Sequence, residues 1–343
     1  MKHANLSIFV PHAGCPHQCS FCRQQVISGV ETPVTPEQVT ALCKNSVAKL
    51  PLGREAEIAF FGGSFTALSR QTMTALLEAA FPFVEKGPFT GIRISTRPDC
   101  IHPEILALLA RYQVQAIELG AQSMDDSVLE QNKRGHTAED VKNASRLIRG
   151  WGFSLGLQMM TGLFGSDPEK DWKTAEELAK LQPETMRIYP TIVLEGTQLA
   201  QWYEKGIYYP QTLSEAVTLG AELLGFFEER SIRVIRMGLH DEPSLSRSRM
   251  AGPYHPAFRE LCEGWLMALR AEKILKNQGT GHYQMGVSSG GVSKMLGHGA
   301  FPVEYLQSLG YNIEIKKDAA LSGLDFWIKD VENASAQLGN TGL

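Results

Sequence analysis

EIAFFGGSFT, residues 57–66, passes from an apolar run to a Gly-rich break within ten positions. The apolar part is too short for a helix and reads as a strand covered on both faces. A helical stretch follows, QTMTALLEAAFPFV (71–84). The same succession recurs on either side. LSIFV (6–10) with PEQVTALCKNSVAKL (36–50) precedes it. GIRIS (91–95) with PEILALLARY (103–112) follows, then VQAIELG (114–120) with the helical pair DDSVLEQN and AEDVKNASRLIRGWG. FSLGLQMM (153–160) leads into EKDWKTAEELAKL, and TMRIYP (185–190) precedes LSEAVTLGAELLGFFEER (213–230). Six β/α units therefore occupy the first 230 residues. Regular alternation predicts a parallel sheet, and its regularity suits a barrel or partial barrel better than an open doubly wound sheet.

The strands end alike. GGSFT follows the second, TRPD the third, AQS the fourth and TGLFG the fifth. Such ends build the active-site face of a barrel. Beyond about 245 the pattern changes. SRSRMAGPYHPAF makes a polar join; a helix (257–273), a Gly-rich stretch (279–299) and two short strand-like runs (311–316, 324–329) follow. The expected division is a barrel over 1–240 and a small α/β appendage of unknown role over 245–343. The whole chain has 343 residues, 43% of them hydrophobic, and a net charge of −4. That balance makes no electrostatic case for nucleic acid by itself. No apolar run approaches a membrane span. The N-terminal stretch MKHANLSIFVPH meets a Pro and a His too early for a secretory signal, so a reducing cytoplasm is expected.

Half of the six cysteines sit in PHAGCPHQCSFCRQ (11–24), as Cys15, Cys19 and Cys22. Cys43, Cys100 and Cys262 are scattered and read as free thiols. Three thiolates spaced C-x3-C-x2-C in one loop can wrap three corners of an iron–sulfur cubane and leave the fourth iron open for chemistry. The alternative is a zinc site completed by His12 or His17.

With Phe21 before the last cysteine and a βα loop as host, the sequence resembles the radical S-adenosylmethionine (SAM) enzymes. The resemblance implies a [4Fe–4S] cluster on Cys15, Cys19 and Cys22, with SAM chelating the open iron. Reductive cleavage to a 5′-deoxyadenosyl radical and hydrogen abstraction from a substrate would follow. It also implies a partial (β/α)6 barrel of TIM type, in agreement with the six units counted above. Gly62, Gly63 and Ser64 match the family's Gly-Gly-Glu-like element, with Ser64 in place of the acid. Ser95 stands at the next strand end. Gln122 and Arg134 resemble a pair in the oxygen-independent coproporphyrinogen oxidases near the cofactor's ribose and carboxylate. Gln158 falls on the adenine-contacting strand end, where relatives often carry Asp.

Three stretches, STRPD (95–99), RGHT (134–137) and IYPTIVLEGTQL (188–199), resemble the radical-SAM part of the Elongator catalytic subunit over about residues 5–240. That family modifies the wobble uridine of transfer RNA, which makes tRNA an expected partner, alongside an electron donor such as flavodoxin or ferredoxin. The family's acetyltransferase domain is not expected. The remaining hundred or so residues are short for it, and KMLGHGA (294–300) lacks the Gln or Arg that should open a pyrophosphate loop. Tyr189, Arg97 and Asp99 are the candidates to face the substrate, with His255 a further one. Two other readings stand beside this one. One is a radical SAM enzyme acting on a small molecule or tetrapyrrole; the other is a non-catalytic iron–sulfur or zinc protein for binding or electron transfer.

Overall fold

The alternation becomes one parallel sheet with seven strands. The computed structural model describes residues 4–10, 15, 18–30, 32, 34–47, 49, 56–331 and, as backbone, 336–339. The sheet strands are β1 (Ala4–Val10), β2 (Ala56–Gly62), β3 (Gly91–Thr96), β4 (Val114–Gln122), β5 (Ser154–Thr161) and β6 (Thr185–Pro190). After the two-residue β7 (Val193–Leu194) comes β8 (Arg233–Met237), and the sheet order is β1-β2-β3-β4-β5-β6-β8. Every pairing in it is parallel, and the sheet curls into a half-barrel. The six-strand count from the sequence is one short. β8 reads RVIRM, with arginines breaking the apolar run, and as the last strand it has one paired edge and is only partly buried. β7 pairs antiparallel with β9 (Arg249–Ala251).

The sheet forms where it does because its inner strands are covered on both faces. The first five residues of β2 are all buried, and Ile92 and Ile94 of β3 and Ile117 and Leu119 of β4 are inaccessible to solvent. The intervening helices are started by local chemistry. Ser69 caps Arg70–Ala80, Thr137 and Asp140 form a capping box on Ala138–Gly150, and Asp167 caps Pro168–Lys180.

Packing divides the chain into two compact units: Met1–Gln211 with Ile232–Tyr254, and Thr212–Ser231 with His255–Leu343. The sequence division at 240–245 differs from this for the helix Leu213–Glu228, which packs against the helix Phe258–Leu275 in the second unit. That unit also holds β10 (Gly281–Val287), β11 (Tyr311–Lys317), β12 (Phe326–Asp330) and β13 (Ala336–Gly339), ordered β11-β10-β12-β13. The Gly-rich stretch 279–299 builds β10 and the helix Ser289–Leu296. Met267, Leu275, Met285, Leu306 and Ile328 form the unit's core. No helix among the described residues is long and apolar enough to cross a membrane.

Candidate active site

The loops after the barrel strands converge on a cavity of about 240 Å³. Its walls carry Cys15, Cys19 and Cys22, then Gly62, Gly63 and Ser64 from the end of β2, and Ser95 and Arg97 around the end of β3. Gln122, Arg134, Gln158 and Tyr189 line it as well, whereas His255, the further candidate, does not. Asp99 lies off the wall and grips Arg97 through two hydrogen bonds of 2.9 and 3.0 Å. His12 and His17 lie outside the described residues.

The cysteine loop is held from several sides. Cys19 and Phe21 pack with Val128, Leu163, Val193 and Leu199 in one apolar cluster. The Ser20 N–H and hydroxyl donate to the Asn132 backbone oxygen (3.1 Å) and side-chain oxygen (2.7 Å). The Ser20 carbonyl accepts from the Leu199 N–H at 2.8 Å. Arg134 reaches the loop directly: Nη1 donates to Cys19 Sγ at 3.1 Å and Nη2 to the Gly120 carbonyl at 2.7 Å. Arg97 in turn donates to the Arg134 carbonyl.

Burial, and after it the neighbouring Cys19 and Cys15, push the Cys22 thiol up to about 12. Burial and then Cys19 also raise Cys15. Cys15 and Cys22 thus resist ionising where they stand, and a cationic metal centre would relieve that cost. The donor set therefore fits a thiolate-held cluster. Among the described residues no three His, Cys, Asp or Glu side chains are grouped to hold one metal ion. A cubane instead takes each thiolate at a separate iron.

The strand ends shape the rest. Gly62 has φ +105°, where a Cβ is strained and would approach the Val10 backbone to 3.4 Å. Ser64 ties two loops together, meeting Thr96 Oγ1 at 3.0 Å and accepting from the Arg97 N–H at 3.2 Å. Gln122 sits at φ +67° beside a register shift at the end of β4, and its side-chain oxygen accepts from Gln158 Nε2 at 3.1 Å.

Sequence reading missed a buried charged network that reaches the cavity through Glu118 and Arg187. Glu118 takes Arg93 at 3.2 Å and Arg187 at 2.5 and 3.0 Å. Arg93 also holds Glu57 at 2.8 Å. Arg187 Nη1 donates to the Tyr189 hydroxyl at 3.4 Å and its guanidinium lies 4.9 Å from the Phe61 ring centre. Burial opposes the Arg187 charge, but Tyr189 and Glu118 beside it hold its pKa above the ordinary value. His240 also lines the cavity, and burial, then Arg236 and Arg187, lower its pKa. A single charged residue inside each of four largely apolar strands, Glu57, Arg93, Glu118 and Arg187, is the signal that could have exposed this network.

Comparison with known proteins agrees with the geometry. The chain is 37% identical over 130 residues to a tRNA uridine(34) acetyltransferase of Methanocaldococcus jannaschii, covering 37% of this chain and 24% of that one. It is 31% identical over 137 residues to human Elongator complex protein 3, covering 39% and 25%. An uncharacterized M. jannaschii protein matches at 29% over 222 residues, 63% of this chain and 65% of that one. The chain thus spans about a quarter of the acetyltransferase and Elongator relatives it matches. The solved Methanocaldococcus infernus Elp3 with an N-terminal deletion shares the fold, with a TM-score of 0.61 at 20% identity over 81% of this chain and 63% of that one. The model of the radical SAM superfamily matches residues 9–178 and that of its C-terminal domain residues 183–267, and with most of the chain so matched, this protein is an enzyme of the radical SAM superfamily.

Proposed function

We propose that Cys15, Cys19 and Cys22 hold a [4Fe–4S] cluster, that SAM occupies the adjoining strand ends, and that the enzyme acts on a base of transfer RNA in an Elongator-like reaction. The observation that carries this is the gathering of the three thiols with Gly62, Gly63, Gln122, Arg134 and Gln158 on one cavity. The substrate part rests on the relatives named as tRNA uridine(34) acetyltransferases. When bound and reduced, such a cluster supplies a 5′-deoxyadenosyl radical from SAM.

The chain's own residues have separable tasks. Gly62 and Gly63 let backbone approach the amino-acid part of the cofactor. Arg134, with two parallel donors, suits a carboxylate; in this structure it spends one on Cys19 and one on the Gly120 carbonyl. Gln122 and Gln158, bonded to each other, offer amide edges to a ribose or adenine. Tyr189 accepts from Arg187, which leaves its O–H to donate into the cavity. Substrate-facing roles for Tyr189 and Arg97 rest on these placements. Asp99 acts on Arg97 rather than on substrate.

The test is anaerobic. Iron and sulfide are loaded into wild type and Cys19→Ala, SAM and dithionite are added, and 5′-deoxyadenosine is assayed with and without purified transfer RNA. Product from wild type alone, increased by tRNA, is expected. Product unaffected by tRNA would move the substrate to a small molecule. A loaded protein that releases none would be an electron carrier or binding protein.

A further inference from the structure

The second unit contains a cavity of about 430 Å³ that shares no residue with the one lined by cysteines. Its apolar wall is Val217, Leu261, Trp265 and Phe301, and its size is that of cavities that take small molecules. Trp265 and Phe301 stack at 5.7 Å and 27°, so this wall offers aromatic surface that suits another ring. The polar groups on it are His255, His298, Ser214 and Thr218.

His255 and His298 meet edge to face, with centroids 4.7 Å apart. The hydrogen bond that His255 Nδ1 accepts from the Ala257 N–H, at 3.1 Å, fixes the tautomer. A neutral ring that accepts at Nδ1 carries its hydrogen on Nε2, so the ring keeps one donor. His298 stands on unusual backbone. His298, Gly299 and Ala300 all have positive φ, at +52°, +88° and +56°. Two of these residues carry a Cβ, and such conformations persist where surrounding structure enforces them. The imidazole lies 3.7 Å from Glu260, whose carboxylate also accepts from the Ser293 hydroxyl.

The ligand's charge follows from this wall. Apart from the two imidazoles, no ionisable side chain among the described residues lines it. An ion entering it would lose hydration without a counter-charge. An anion would also compete with Glu260 for whatever charge His298 takes. We propose that this cavity binds an uncharged, ring-bearing small molecule that presents a carbonyl or ring-nitrogen acceptor to His255 and the two hydroxyls. The site is independent of the radical chemistry, and its test needs no cluster.

Saturation-transfer NMR on the full chain, titrating benzamide, benzoate and benzylamine, tests this. Benzamide is expected to receive saturation, and the two charged probes to bind about tenfold more weakly, as an unpaired buried charge requires. Ser214 is exposed at the rim, so Ser214→Trp should fold as wild type by circular dichroism and remove the benzamide signal. His255→Leu should weaken benzamide by about five- to tenfold, the loss of one hydrogen bond. No transfer from benzamide up to its solubility limit, transfer that survives Ser214→Trp, or benzoate binding as tightly as benzamide would overturn the proposal.

Discussion

Asn132 is fully buried and uses its whole amide. The oxygen takes the Ser20 hydroxyl, and Nδ2 donates to the Val128 and Phe164 carbonyls, each at 2.8 Å. One side chain thereby joins the cysteine loop to the loops after β4 and β5. Asn132→Ala should cost about 2–4 kcal/mol, because it strands buried partners, and loaded protein should release iron faster to a chelator. A rate equal to wild type would remove Asn132 from any role in the cysteine loop. Glu118 is the second such residue. Glu118→Ala leaves Arg93 and Arg187 facing each other in the interior, a loss of about 3–5 kcal/mol, readable as a lowered denaturation midpoint. Tyr189→Phe removes only a hydroxyl at the rim of that network. Its stability should stay within about 1 kcal/mol of wild type, while substrate turnover falls and SAM binding does not.

At the level of elements, the loop after β4 is fastened by His136, whose Nε2 bonds the Ala121 carbonyl at 3.1 Å while Nδ1 is buried without a partner among the described residues. Burial, and then the charge of Arg134, lower its pKa from 6.5 to about 4. A depressed folded pKa means that the unfolded chain takes the proton first, so stability is full above pH 6.5 and drains as pH falls toward 4. His136→Gln removes that contribution. Melting temperatures of variant and wild type should therefore draw together, or cross, between pH 7 and pH 5. A gap that does not change with pH would remove His136 from the acid response. The same loops show what sequence discloses. Apolar runs and Gly-rich ends located six of seven strands, and the cysteines and strand-end residues singled out with them line one cavity whereas Asp99 and His255 do not, since strand period and βα turns are local properties. β8 escaped because its arginines imitate a polar segment. The Glu57–Arg93–Glu118–Arg187 network escaped because its members come from four strands and meet only in the folded sheet. Ser64 read as a weak substitute for an acid, yet it ties two loops together through Thr96 and Arg97.

For the whole molecule, the helix Leu213–Glu228 sets the limits of dissection. Val217, Leu223, Leu224 and Phe227 are buried on it, and it packs along Phe258–Leu275. A fragment cut at residue 240 keeps that helix and loses its partner. It should expose this apolar face, bind a hydrophobic dye and unfold without a sharp transition, whereas the full chain should not. The half-barrel itself ends in two edges, since the sheet order runs from β1 to β8 without closing. An unclosed sheet invites another copy to add a strand, and natural edges resist this with charge. Arg233 and Arg236 on β8 stand where such guards belong. If the residues that hid the strand from a reader of the sequence also guard its edge, their replacement should surface as self-association during expression and storage, before any assay of the enzyme began.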